Sequence, residues 1–214
     1  MAYDFDKIAR TYDRLNRVMT LGLDRRWRKH AVTELHGKVL DVACGTGDMC
    51  VELLKRGCEV TGVDLSEEML AIAKVKGERL KVKVEIADAE NLPFEDESFD
   101  GVTCAFGVRN FVHLEQGLSE MLRVLKPGGR MVILELATPD SPLIRPFYNL
   151  YTKHIIPWLG SRIAGNREAY TYLPESVERF PKGDAFLRLF SNSCEHKLTF
   201  GVCRLYIINK EVAG

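Results

Sequence analysis

The sequence predicts an α/β fold: a mostly parallel sheet with helices on both faces. Two observations carry that expectation. From residue 38 onward, short apolar runs alternate with amphipathic stretches, the pattern of repeated strand and helix units. The chain also has 214 residues, enough for one well-cored domain and too few for two full ones.

The elements follow in order. Residues 1–36 read as helices set before the sheet, with Leu23, Trp27 and Ala31 at helical spacing. Lys38–Val42 is a short apolar strand, Asp48–Arg56 a helix and Glu59–Val63 a second strand, which together make a βαβ unit. Ser66 is placed as a helix N-cap, with Glu67 and Glu68 in the first turn and Met69, Leu70 and Ala73 on one face. Lys81–Ile86 and Phe99–Phe106 are the third and fourth strands. Leu114–Leu125 reads as a helix stopped by Lys126-Pro-Gly-Gly129, and Arg130–Leu136 as a fifth strand. Residues 138–182 break the alternation with helices and loops inserted above the sheet. A terminal segment, 183–214, ends in one or two strands over Thr199–Asn209 that return antiparallel. The expected division is a single domain: 1–36 as N-terminal helices, 38–137 as the ligand-binding core, then the insert and the terminal segment.

Thirty Lys and Arg balance thirty Asp and Glu, so no net charge draws the chain to nucleic acid or anionic lipid. Hydrophobic content of 46% and charged content of 28% exclude disorder and fibrous repeats. Six cysteines (44, 50, 58, 104, 194, 203) lack CxxC pairs and histidines at metal spacing, which points to reduced, buried thiols in a cytoplasm. The opening MAYDFDKIARTYD has no apolar core and is read neither as a secretory signal nor as an anchor. No window approaches the roughly 18 continuous apolar residues of a membrane span.

Loops after strands are where such sheets bind ligands. In Asp41-Val-Ala-Cys-Gly-Thr-Gly-Asp48, Gly45 and Gly47 allow a sharp turn and a bare backbone; glycines also close ordinary strand-to-helix connections. The dinucleotide fingerprint wants a third glycine where Cys50 stands, and no GK[ST] loop is present, so a pyrophosphate cradle is disfavoured. Asp64 ends the second strand, where a carboxylate accepts from both hydroxyls of a ribose, and Asp88 ends the third, where it can meet an adenine amine. The set suits an adenosine without phosphates.

The DVACGTGD turn, VDLSEEML, ADAENLPF and RVLKPGG together resemble the class I S-adenosylmethionine-dependent methyltransferases. That resemblance implies a Rossmann-like, mostly parallel seven-stranded sheet with helices on both faces and a helical lid. It also implies S-adenosyl-L-methionine as cofactor. Gly45, Thr46 and Gly47 would line its methionine and ribose, Asp64 would hold the ribose, and Asp88 with Ala89 would bracket the adenine. Asp41 would either orient the ammonium or serve as a strand-end acid bonded to nearby amides.

FDKIARTYDRLN, LGLDRRWR, FGVRN, LKPGGRMVILELATP, AYTYLPESVERFP and LTFG narrow the resemblance to the quinone-biosynthesis C-methyltransferases over nearly the full length. It implies C-methylation of a prenylated quinol, a demethylmenaquinol or demethylated benzoquinol, without a metal. The same fold acting on another small molecule is the alternative. Methylating a ring carbon needs an electron-rich ring, so the resemblance makes Arg109 a fixed cation that favours the phenolate, with Asn110 donating beside it. A surface ion pair of Arg109 with Glu135 is the other reading. Tyr12, His113 and His154 are the candidates to take the ring proton, with Tyr12 first among them. Tyr148, Tyr151, Trp158, Tyr170 and Tyr172 either pack or line an apolar pocket for ring and tail. The insert is the candidate for transient membrane contact, nucleic acid is not expected as a partner, and a homodimer is left open. Two departures stand out: Ser191-Asn-Ser-Cys194 replaces a Gly-Phe pair common in the family, and Ala105 stands where a hydroxyl residue is common.

Overall fold

A computed structural model of the chain describes residues 5–77, 82–156 and 168–212. Seven strands lie in the order β3-β2-β1-β4-β5-β7-β6, so β3 and β6 are the two edges. They are β1 (Lys38–Val42), β2 (Glu59–Asp64), β3 (Lys83–Ile86), β4 (Phe99–Ala105), β5 (Leu125–Leu136), β6 (Ser193–Leu198) and β7 (Cys203–Asn209). The first five pair parallel, while β7 runs antiparallel to both β5 and β6. This is the Rossmann-like α/β sheet that the alternating pattern requires. Among the described residues no helix is long and apolar enough to cross a membrane.

Alternate residues of the central strands serve two cores, one on each face of the sheet. Leu40, Val102, Met131 and Tyr206 bury on one side with Leu118 and Met121 of α5 (Leu114–Val124). Val39, Val132 and Leu205 bury on the other with Trp27 of α2 (Leu23–Ala31) and with Met49 and Leu53 of α3 (Asp48–Lys55). The expected cap is present: Ser66 Oγ accepts the Met69 amide at 3.1 Å and opens α4 (Glu67–Gly77). The sheet is preceded by α1 (Ala9–Met19). Beyond β5 come α6 (Arg145–Leu150), a wide helical turn over Tyr151–Ile155, α7 (Glu168–Arg179) and the short α8 (Asp184–Leu187).

Two expected boundaries are corrected. Strand β5 begins at Leu125 instead of Arg130, because Leu125 pairs with Phe99 before an irregularity that lets Gly101 pair with Arg130. The glycines are absorbed there: Gly128, at φ 75°, donates to Lys210 O at 2.9 Å and Gly129 O accepts from the Lys210 amide at 3.0 Å. The terminal pair also differs from the expected 199–209. Ser193–Leu198 is the edge strand, and Thr199–Gly201 is the turn, with three consecutive positive φ angles of 46°, 58° and 84°. The departing segment Ser191–Cys194 therefore leads into a regular strand. Of the expected third strand, Lys81 lies outside the described residues.

Candidate active site

The strand exits meet around one cavity of about 300 Å³. Gly45 follows β1, Asp64 ends β2 and Ser66 follows it, Asp88 and Ala89 follow β3, and Gly107, Asn110 and Phe111 follow β4; Phe5, Asp6 and Tyr12 reach it from the N-terminal side. This is the carboxyl end of a parallel sheet, the place where the strand order reverses between β1 and β4.

Asp64 does two things at once. Its Oδ2 accepts the Gly45 amide at 2.8 Å and its Oδ1 the Ser66 amide at 2.9 Å, so the carboxylate pins the glycine turn while facing the cavity. Burial pushes its pKa up, and the two amide bonds pull against that. Asp88 is exposed on the rim and accepts the Glu90 amide at 2.9 Å, while Ala89 beside it is buried. A side chain at Gly45, whose φ is 54°, would project into open space, consistent with a bare stretch of backbone at the cavity.

Asp41 is fully buried. Its Oδ2 accepts the Cys50 thiol at 3.1 Å, and its Oδ1 meets no hydrogen-bond partner among the described residues. Burial raises its pKa to about 7. It lines a second, small cavity of about 20 Å³ that shares Tyr12, Ala43, Gly45 and Ala105 with the first. Thr46 also lines this one; its hydroxyl donates to Asp13 at 2.5 Å. Gly47 lines neither. At φ 80° it starts α3, and a Cβ there would stand 3.1 Å from Ala73 Cβ, so close packing against α4 and the turn explain this glycine without a ligand.

Of the three residues expected to touch the ring, Tyr12 and Asn110 line the main cavity. Arg109 is placed otherwise, and the paired reading describes it: its side chain is 5% exposed, against Glu135 at 1%. Arg109 Nη1 donates to Glu135 Oε2 at 2.8 Å and to Phe106 O at 2.6 Å, and the Leu136 amide donates to the same carboxylate at 3.1 Å. Burial pushes the Glu135 carboxyl up and Arg109 pulls it down. The pair is buried, whereas the alternative reading placed it on the surface. It sits behind the cavity wall because Glu135, near the end of β5, lies beside the exit of its neighbour β4.

His113 bonds Glu90 at 2.7 Å on the surface, and His154 is exposed away from both cavities. Burial raises the Tyr148 pKa to about 12, and the Tyr151 hydroxyl donates to Val18 O at 3.0 Å; neither lines the two cavities above, and Tyr151 packs against Ile8, Leu15 and Ile156. Trp158 and the side chains of Tyr170 and Tyr172 lie outside the described residues. Sequence reasoning missed Phe5, Asp6, Ser66 and Phe106 on the cavity wall. Ser66 was read only as a cap; its hydroxyl also donates to Asp6.

The architecture is similar to that of a SAM-dependent methyltransferase of known structure from Thermotoga maritima. The TM-score is 0.65 at 22% identity, covering 97% of this chain and 100% of that one. A demethylmenaquinone methyltransferase of Deinococcus radiodurans is 44% identical over 218 residues, 96% of this chain and 90% of the relative. The ubiquinone/menaquinone biosynthesis C-methyltransferase UbiE of Geotalea daltonii is 43% identical over 218 residues, 94% of this chain and 92% of the relative. With the strand-end acids and glycine turn in the places described, and a family model matching residues 2–210, the chain belongs to the ubiE/COQ5 methyltransferase family.

Proposed function

We propose that the protein transfers a methyl group from S-adenosylmethionine to a ring carbon of a demethylated, prenylated quinol in the biosynthesis of menaquinone or ubiquinone. The observation that carries this reading is the wall composition of one cavity: strand-end acids Asp64 and Asp88 face Tyr12, Asn110 and the apolar Phe106, Phe111 and Val112. The first group suits an adenosine, the second a ring with hydroxyls. The names of the relatives support the same substrate class.

The residues present fit the cofactor. Asp64 is placed to hold the ribose, Asp88 and Ala89 to bracket the adenine, and Gly45 to leave room for the methionine portion. Asp41 offers a buried carboxylate oxygen lacking a partner among the described residues, the complement of an ammonium group. Thr46 is assigned to shaping the turn, since its hydroxyl is engaged with Asp13, and Gly47 to packing. Bound there, the cofactor supplies an electrophilic methyl group on a sulfonium.

The chain's own work is alignment and exclusion of water. Asn110 is placed to hydrogen-bond a ring hydroxyl, and Tyr12, which reaches both cavities, to relay the proton released from the ring, its hydroxyl taking that proton while handing its own on to water. Arg109 carries a charge matched by Glu135, so its field at the ring is weakened. We assign it mainly to holding the 106–111 loop, through Phe106 O and Glu135, in the position that presents Asn110. For a prenylated substrate the exposed row Leu143, Phe147 and Leu150, with side chains 78%, 74% and 56% exposed beside Arg145 and Lys153, is the proposed transient contact with a bilayer.

The test is methyl transfer from radiolabelled S-adenosylmethionine to short-chain demethylated naphthoquinols and benzoquinols kept reduced, with mass spectrometry of the product. Carbon methylation of one of them is expected and identifies the ring. Tight cofactor binding without transfer to any would move the substrate to another class of small molecule.

A further inference from the structure

The roof of the cavity is a unit with its own small core. Ile8 and Leu15 from the N-terminal segment bury against Ile156, with Phe5, Tyr12, Met19 and Tyr151 packed on them, apart from the two cores on the faces of the sheet. Phe5, Asp6 and Tyr12 of this unit are also cavity wall. Among the described residues, two polar attachments hold the roof to the strand-end loops.

One attachment is the hydrogen bond from Ser66 to Asp6. The other centres on Lys76 of α4. Its Nζ lies 2.5 Å from Asp13 Oδ2, 2.7 Å from Asp48 Oδ1 and 2.9 Å from Thr46 Oγ1. An ammonium has three N–H donors, and here three acceptors meet them. Thr46 completes the ring by donating to Asp13 Oδ1 at 2.5 Å. Asp13 belongs to the roof, whereas Thr46 and Asp48 belong to the glycine turn and the start of α3. Burial pushes the Asp48 carboxyl up, but Lys76 more than offsets it and the net shift is downward.

Without the ammonium, two carboxylates would face each other across Thr46, and the same contact would push the roof away. We infer that Lys76 is a positioning residue that clamps the roof, through Asp13, onto the glycine turn, and so sets how long the cofactor is retained. This rests on the cofactor assignment above. On this inference the Asp13 to Lys76 contact opens when the cofactor enters and leaves; its side chains, 22% and 25% exposed, are wet enough for salt to weaken it. The glycine turn does not move with it, because Asp64 holds Gly45 from the floor.

The test uses Lys76→Met, Lys76→Arg, Asp13→Asn and the double variant Asp13→Asn/Lys76→Met, each confirmed folded by thermal melting. Two readouts are taken: affinity and dissociation rate of S-adenosylmethionine, and backbone hydrogen exchange over residues 5–19. In Lys76→Met the cofactor is expected to bind about five- to tenfold more weakly, through faster dissociation, the size of a small ion-pair network. Exchange over 5–19 should speed up, and KM for cofactor should rise more than kcat falls, since Tyr12 sits on the loosened roof. Lys76→Arg should recover most of this, and the double variant should be no worse than Lys76→Met, since removing Asp13's charge also removes the repulsion. A folded Lys76→Met with unchanged exchange and unchanged dissociation would overturn the clamp. If the wild type binds no S-adenosylmethionine, the cofactor assignment fails instead, and unchanged exchange in Lys76→Met would then reject the clamp independently.

Discussion

The floor and the roof of the cavity are built by different physics. The floor hangs from β1, β2 and β4, whose central residues are almost entirely excluded from water, and its Asp64 is tied by backbone amides. Among the described residues the roof has a small apolar core around Ile8, Leu15 and Ile156, and its contacts to the strand-end loops include the hydrogen bond to Ser66 and the Lys76 cluster. A surface fixed by sheet geometry keeps its shape with or without a ligand, whereas one held by a few polar contacts can open. The difference teaches where to look for each property: recognition of the cofactor in the floor, admission and retention in the roof.

The contrast breaks most severely at the buried pair behind the floor's β4 loop. Replacing Glu135 by Met leaves Arg109 facing its former partner's apolar substitute, and stability should fall by about 3–5 kcal/mol in denaturant melts, with Arg109→Met similar. The double Arg109→Met/Glu135→Met should regain most of the stability and part of the turnover. A double variant as unstable as the singles would reject the pair as what these residues contribute to stability, and a stable one with Arg109→Met's turnover unimproved would return Arg109 to a direct part in the reaction. Next in size is Asp64→Ala, which loses charged hydrogen bonds worth about 1.5–3 kcal/mol, or roughly ten- to 150-fold in cofactor affinity by calorimetry. Unchanged affinity would remove Asp64 from the cofactor side.

Asp41 sharpens the comparison through pH. Its folded pKa of about 7 stands above the ordinary 3.8, so between those values the folded state keeps a proton that the unfolded state has released. Stability therefore falls as pH rises through that window, by at most about 1.4 kcal/mol per pH unit from this group, and Asp41→Asn should flatten the slope. Affinity for the cofactor's ammonium should move the opposite way, improving from pH 6 toward 7 as the carboxylate forms; a flat profile would count against that contact. The smallest effect is expected on the roof's outer side. Phe147→Ser should change stability by less than about 0.5 kcal/mol yet reduce co-sedimentation with lipid vesicles. Undiminished co-sedimentation, or none in the unaltered protein, would reject the proposed membrane contact.

The floor was legible because its signals are local. Apolar runs of strand length, a serine before two glutamates and acids at strand ends are all visible within a few residues. The edge strand Ser193–Leu198 was missed because its residues are polar and partly exposed, which leaves little apolar pattern to read. Arg109 looked like a group aimed at a ligand because its partner Glu135 is brought alongside only by the pairing of β4 with β5. The roof was foreseen as helices but not as a unit, since Leu15 and Ile156 meet through tertiary packing that no spacing encodes.

The two outermost strands carry a further consequence. At one margin β3 is four residues long and exposes Lys83 and Glu85; at the other β6 exposes His196 and Lys197. A strand docking from another molecule would have to seat itself among those charges along a very short ladder, so the sheet offers neighbours no template to extend. Edge-to-edge pairing between copies of this chain is disfavoured on both margins, although Ile86 leaves one exposed apolar side chain on β3.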